Sequence, residues 1–191
     1  MQRIEQAGFS IFKILYIIVR NKKPYLVTQS EMDIIPIDTY NFQGTEREET
    51  LFYGIGNILS RMHARRITHG DAQMKNFVLD NGRIRVIDFE KTTFHELPND
   101  NFYKDVNNDF QAIVQSILIS KNLSPRHRRM YIEVLLQGYI DHLTNLYVKE
   151  ENTTLQEEIL DLINKIETNY QQFYRYQKMP QLHQQSGQEG A

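Results

Sequence analysis

The 191-residue chain has no cysteine, so neither a disulfide framework nor a thiolate zinc site is available to it. Its six histidines are scattered, with no H-E-x-x-H or similar spacing, which argues against a histidine-built metal centre. A surplus of charge is also lacking. The net charge of −2 gives no electrostatic reason to expect nucleic acid or an anionic membrane as a partner. The longest apolar run, Ile14 to Val19, is far too short to span a bilayer, and the N-terminus carries no secretory pattern. Neither an internal repeat nor a domain linker is visible. A reducing, cytoplasmic location is expected. What is present, 40% hydrophobic and 24% charged residues, suffices to bury a core in one compact soluble unit.

The most informative stretch is Thr68-His69-Gly70-Asp71-Ala72-Gln73-Met74-Lys75-Asn76, followed by Ile87-Asp88-Phe89-Glu90. It sets Asp71, Asn76 and Asp88 in the order and spacing that phosphoryl transfer from ATP uses. An H-x-D-x-x-x-x-N loop carries a base for the attacking hydroxyl and an amide for a metal, and a later Asp in a D-F-x turn holds Mg²⁺. Mg²⁺ is a hard cation that takes oxygen ligands, only one or two of them from protein. Asp88 and Asn76 are therefore expected as metal and nucleotide ligands. Asp71 is expected to stay ionised and to orient the hydroxyl. Phe77-Val78-Leu79 and Arg83-Ile84-Arg85-Val86-Ile87 read as two strands joined by Asp80-Asn81-Gly82, a strong hairpin signal. Such a hairpin brings Asn76 and Asp88 to one end of the ribbon. The three residues are thus expected to converge on one cleft there.

From about Gly8 to Leu118, and most specifically from Met62-His63 to Glu90, the chain resembles the C-terminal lobe of the protein-kinase-like superfamily. It is closer to the small-molecule and atypical branch, which includes aminoglycoside and choline phosphotransferases, lipopolysaccharide core-sugar kinases and small archaeal atypical kinases. The resemblance implies an α+β protein-kinase-like fold: a mainly helical C-lobe with a catalytic β-hairpin and a remnant of the N-lobe sheet. It also implies ATP and Mg²⁺ as cofactors and a small-molecule, sugar or lipid hydroxyl as acceptor. Gly70 replaces the Arg that receives an activation-loop phosphate in many protein kinases. Gln73 stands where Ser/Thr kinases carry a Lys, and Glu90 replaces the Gly of D-F-G. No A-P-E follows, which removes a docking platform for a protein substrate. The family places an Asp in the next helix to hydrogen-bond the catalytic-loop backbone. Asp109 is the choice and Asp105 the runner-up; an ordinary N-cap explains such an Asp nearly as well.

Upstream, Ile11 to Val19 and Pro24 to Thr28 read as two β-rich runs around Arg20-Asn21-Lys22-Lys23. By the same resemblance they are the last two strands of an N-lobe (residues 1–33). Gln29, Ser30, Glu31 and Met32, leading to Asp33, are then the hinge whose backbone binds adenine. Residues 34–179 form the C-lobe, and 180–191 a polar disordered tail. No G-x-G-x-x-G precedes the motif, and no V-A-I-K-like strand supplies a phosphate-pairing Lys; Gly54-Ile55-Gly56 lies inside a helical pattern. Two readings follow. One is a phosphotransferase; the other is a pseudokinase or scaffold, or a chain whose N-lobe a partner completes along an open sheet edge.

The remaining helices read as structural. Thr45-Glu46-Arg47-Glu48 is a capping box opening a helix with an apolar stripe of Leu51, Ile55, Ile58, Leu59 and Met62. A second helix opens around Asp105–Phe110, with Phe110, Ile113, Val114, Ile117 and Leu118 on one face. Ser124-Pro125 caps a third and Thr154 starts a fourth. The Arg126-His127-Arg128-Arg129 cluster is a solvated first turn, or alternatively a lure for an anionic substrate.

Overall fold

The computed structural model describes residues 14–20, 23–28 and 34–178, with side chains from 34 to 171. The hinge residues Gln29–Asp33 and the tail therefore lie outside the described residues. The two upstream β-rich runs form β1 (Ile14–Arg20) and β2 (Lys23–Thr28), paired antiparallel as a two-stranded sheet.

The expected hairpin is present as β5 (Phe77–Asp80) and β6 (Arg83–Val86). Asn81 and Gly82 both take positive φ, 48° and 76°, the backbone of a primed two-residue turn that matches strand twist. The sheet has a third strand that the sequence did not announce. β3 (Ile34–Pro36) pairs antiparallel with β5, giving the order β3-β5-β6. All four residues of β5 are buried, as the middle strand requires. A separate pair, β4 (Ile67–Thr68) and β7 (Thr93–Phe94), ties the segment before Asp71 to the segment after Asp88.

Among the described residues, four helices build the lobe. α1 (Glu46–His63) opens on the expected capping box. Glu48 is buried, and its carboxylate accepts the N–H groups of Gln43, Gly44 and Thr45 at 2.6–2.8 Å and the Tyr131 hydroxyl at 2.6 Å. Burial pushes the Glu48 pKa up, but these donors more than offset it and leave it below the ordinary value. α2 (Asp100–Ile119) begins earlier than the apolar face alone indicates. Asn99 is its N-cap, accepting from Phe102 N at 3.1 Å, and Phe102 and Val106 extend the buried face upstream. Asp105 and Asp109 are consequently interior to the helix, which disposes of the capping role for either. α3 (Pro125–Lys149) starts as expected, with Ser124 Oγ accepting from His127 N. α4 (Thr153–Lys178) is capped by Asn152, whose Oδ1 accepts from Thr154 N and Leu155 N.

The stripes read from the sequence, Leu51, Ile55 and Leu59 of α1 and Ile113 and Ile117 of α2, form one core with Leu135 and Leu143 of α3 and Ile159, Leu162 and Ile166 of α4. Met62 packs with Ile67 in a small satellite beneath β4. α1 and α3 approach at backbone distance. A Cβ on Gly56 would stand 2.0 Å from the Leu135 carbonyl oxygen, and one on Gly138 would stand 2.2 Å from that of Tyr53. Gly56 therefore serves helix packing, in keeping with its place inside a helical pattern. The consequence is positional: α1 delivers its C-terminal end, His63, beneath the loop 69–76.

Candidate active site

The loop 69–76 is held from below by α2. The Asp109 carboxylate is 1% exposed; Oδ2 accepts from His69 N at 2.6 Å and Oδ1 from Gly70 N at 2.7 Å. Asp109, not Asp105, is thus the helix carboxylate that anchors this backbone. Asp105 instead faces His95 Nε2 at 3.5 Å. Two helical turns beyond Asp109, Ser116 Oγ accepts from Met74 N at 3.0 Å. One face of α2 therefore pins both ends of the loop.

Asp109 is itself positioned by a buried chain of polar groups. His63 Nε2 lies 3.2 Å from Asp109 Oδ2, and His63 Nδ1 lies 2.8 Å from the Tyr139 hydroxyl. A neutral imidazole that donates from Nε2 accepts at Nδ1, so the Tyr139 O–H donates to it. Burial, with the Asp109 charge adding to it, pushes the Tyr139 hydroxyl pKa well above its usual value, which keeps it a donor. Neither His63 nor Tyr139 stands out in the sequence, because each looks like one more member of a helical stripe.

Gly70 has a steric reason for its identity. Its φ is +78°, and a Cβ there would stand 2.4 Å from the Lys91 carbonyl oxygen. The residue type that sets this chain apart from many protein kinases is thus the one that lets the segment after Asp88 close over the loop. His69, fully buried, completes the closure. Its Nε2 donates to Ile87 O at 3.0 Å, while its ring packs beside Phe77 and Phe89 at centroid distances of 6.4 and 5.6 Å.

The three residues singled out in the sequence are linked through short bonds. Asn76, 4% exposed, donates from Nδ2 to the Asp71 carbonyl oxygen at 2.8 Å. The Asn76 carbonyl accepts from Ile87 N at 2.9 Å, so Asp88 follows directly on a residue paired with Asn76. Asp88 is exposed and left-handed, with φ 61° and ψ 64°, a conformation that Asp tolerates better than most residues. Among the described residues its carboxylate has no hydrogen-bond or ion-pair partner. Hard oxygen donors, one of them an unpaired carboxylate, suit Mg²⁺. Among the described residues there is no group of three or more His, Asp or Glu side chains able to cage an ion.

Asp71 sits in a charged setting that the sequence pattern did not disclose. Its Oδ1 accepts from Gln73 Nε2 at 2.6 Å, and its Oδ2 lies 3.7 Å from Lys75 Nζ and 3.6 Å from Lys91 Nζ. Partial burial raises the Asp71 pKa, but the Gln73 hydrogen bond and the two ammoniums outweigh it and hold the carboxyl below its ordinary range. Lys75, four residues after Asp71, was readable as a neighbour; Lys91 was not, since only the fold brings it near. The Arg126–Arg129 cluster has no part here. His127 packs against Gly44 beside the start of α1, roughly 27 Å of helix away from the end that meets the loop 69–76. Within the cluster Arg128 bonds Ser120 O and Arg129 pairs with Glu133.

Comparison with known proteins identifies the family and the fold. Residues 1–139 match the lipopolysaccharide kinase (Kdo/WaaP) family. Among solved structures, one described as "WaaP in complex with acyl carrier protein" is similar at a TM-score of 0.51 and 15% identity, covering 84% of this chain and 73% of that one. No curated protein matches the chain. The fold is α+β and kinase-like, with a mainly helical C-lobe, and the chain belongs to the lipopolysaccharide kinase (Kdo/WaaP) family.

Proposed function

We propose that the chain is an ATP- and Mg²⁺-dependent phosphotransferase that modifies a hydroxyl of a sugar or lipid acceptor. The observation that carries this reading is the linkage of Asp71, Asn76 and Asp88 through the Asn76 side chain and backbone. Asp71, ionised by its neighbours, accepts a hydrogen bond from the acceptor hydroxyl and takes its proton as the new O–P bond forms. ADP leaves from the opposite side of the phosphorus. Asn76 and Asp88 would hold the metal, which supplies neutralisation of phosphate charge when bound. Asp109, through His69 N and Gly70 N, holds the loop in place, and backbone orientation of this kind accounts for much of the barrier lowering in such transfers. The hinge Gln29–Met32 would take the adenine, and the reaction would run in the cytoplasm.

Calorimetry with ATP on the whole chain tests the binding half of this reading. Binding is expected with Mg²⁺ and is expected to be lost with EDTA or in Asp88→Ala. Absence of binding at millimolar nucleotide would instead support a scaffold, or a partner strand completing the β1–β2 sheet.

A further inference from the structure

Asp71, Asn76 and Asp88, with Gly70 and Lys91, all lie on the segment 67–95. That segment leaves the core at Arg66 and returns to the same residue. The Arg66 carbonyl oxygen accepts from His95 N at 2.9 Å, and the guanidinium Nη1 donates to Glu96 O at 2.9 Å. Just inside this neck β4 pairs with β7, and Thr68 Oγ1 lies 3.1 Å from His95 Nε2. Arg66 thus closes the segment that carries the site. Its backbone is left-handed, with φ 56°, a conformation that is costly for arginine and persists only where neighbours hold it.

One of those neighbours comes from far along the chain. Glu158, in the second turn of α4, takes the other side of the guanidinium. Nη2 donates to Oε1 and Oε2, each at 2.9 Å, and Nε donates to Oε2 at 3.3 Å. The side chains are only 30% and 21% exposed, so solvent screens this pair less than a surface one, and the fork geometry fixes orientation as well as charge. Apolar packing does not duplicate the tie. A cavity of about 60 Å³ lies beside the pair, with Ala64, Phe102, Leu146, Leu155 and Ile159 among its walls. The first turns of α4 therefore meet the end of α1 across a gap that the ion pair bridges. α4 also lies wholly beyond residue 139, where the match to the family ends.

We propose that Glu158, acting through Arg66, is a positioning residue for phosphate transfer, so that α4 sets the placement of the loop 69–76 relative to Asp88. The proposal rests on the reading of Asp71 as the base and adds a control element from outside the family-matched residues. With the pair intact, the guanidinium is held between Glu158 and Glu96 O, and the two ends of the segment 67–95 stay in register. Without the carboxylate the guanidinium turns to water, the left-handed turn at Arg66 relaxes, and base and metal ligands shift against each other. Transfers governed by orientation lose rate when a reacting group is misplaced by about 1 Å.

The test is a double-mutant cycle of R66Q, E158Q and R66Q/E158Q in the whole chain, each checked for fold by circular dichroism. It is read by amide hydrogen exchange and by phosphate transfer from Mg-ATP to lipopolysaccharide acceptor. E158Q is expected to exchange about tenfold faster at the His95 and Gly70 amides, with α2 core amides such as Ile113 unchanged. Its kcat is expected to fall about tenfold while the KM for ATP stays within about twofold, because orientation is lost and nucleotide binding is not. The double variant is expected to match the worse single variant, since the two side chains act as one unit. Effects that multiply in the double variant, unchanged exchange at both amides, or faster exchange spread evenly over the helical core overturn the proposal. So does a wild-type kcat in E158Q. A wild-type chain that transfers no phosphate would refute the phosphotransferase reading, and the exchange data alone would then decide whether α4 holds the loop.

Discussion

Removing the Asp109 carboxylate strikes the link between fold and site. In Asp109→Ala three buried donors lose their acceptor: His69 N–H, Gly70 N–H and His63 Nε2–H. A buried donor left unsatisfied costs about 1–3 kcal/mol, and neighbours in one network do not add in full. A loss of about 4 kcal/mol is expected, in the range found when one partner of a buried charged network is deleted. For a domain of this size that corresponds to a melting point lower by roughly 10 °C. Asp105→Ala is the internal control. Its carboxylate is 39% exposed and faces His95 at 3.5 Å, so less than about 1 kcal/mol is expected. Urea unfolding gives both numbers, and amide hydrogen exchange locates the damage, which should centre on His69 and Gly70. A cost under about 1 kcal/mol for Asp109→Ala, or unchanged protection of those two amides, would refute the anchoring role.

Further outcomes follow from the same geometry. Gly70→Ala combines a strained φ of +78° with a 2.4 Å approach to Lys91 O, so it should destabilise by about 2 kcal/mol or more and impair ATP-dependent transfer, read by thermal melts and a radiolabel assay. Because the Asp71 pKa lies below its ordinary value, the acid limb of activity should fall below the usual carboxylate range. Removing the cations in K75Q/K91Q raises that pKa, so the limb should move to higher pH; a limb that stays put or moves down contradicts the assignment of Asp71 as the titrating base.

The parts of the fold that were legible in the sequence are those written in local chemistry. Asn81-Gly82 demands a primed turn, Thr45 and Glu48 a capping box, and Ser124-Pro125 a helix start, and each of these stands in the structure. The order Asp71, Asn76, Asp88 was legible because phosphoryl transfer constrains residue type and spacing together. What stayed hidden depends on contacts distant in sequence. The start of α2 was misplaced because Asn99 and Asp100 look like loop residues until Phe102 and Val106 are seen to share the buried face. β3 and the β4–β7 pair are three and two residues long, too short for an alternation to show. The relay from Tyr139 through His63 to Asp109 joins three helices, so no window of sequence contains it. Lys91 approaches Asp71 only because Gly70 allows the chain to cross there.

The most direct test of the central claim is phosphate transfer from Mg-ATP to lipopolysaccharide acceptor by the purified chain, measured beside Asp88→Ala. Asp88 is exposed and has no partner among the described residues, so its replacement by Ala should lower stability by only about 1–2 kcal/mol, the cost of Ala in the left-handed backbone held there, and leave the chain folded. Wild-type transfer that Asp88→Ala abolishes without unfolding is the expected result; transfer that Asp88→Ala sustains at the wild-type rate would contradict it.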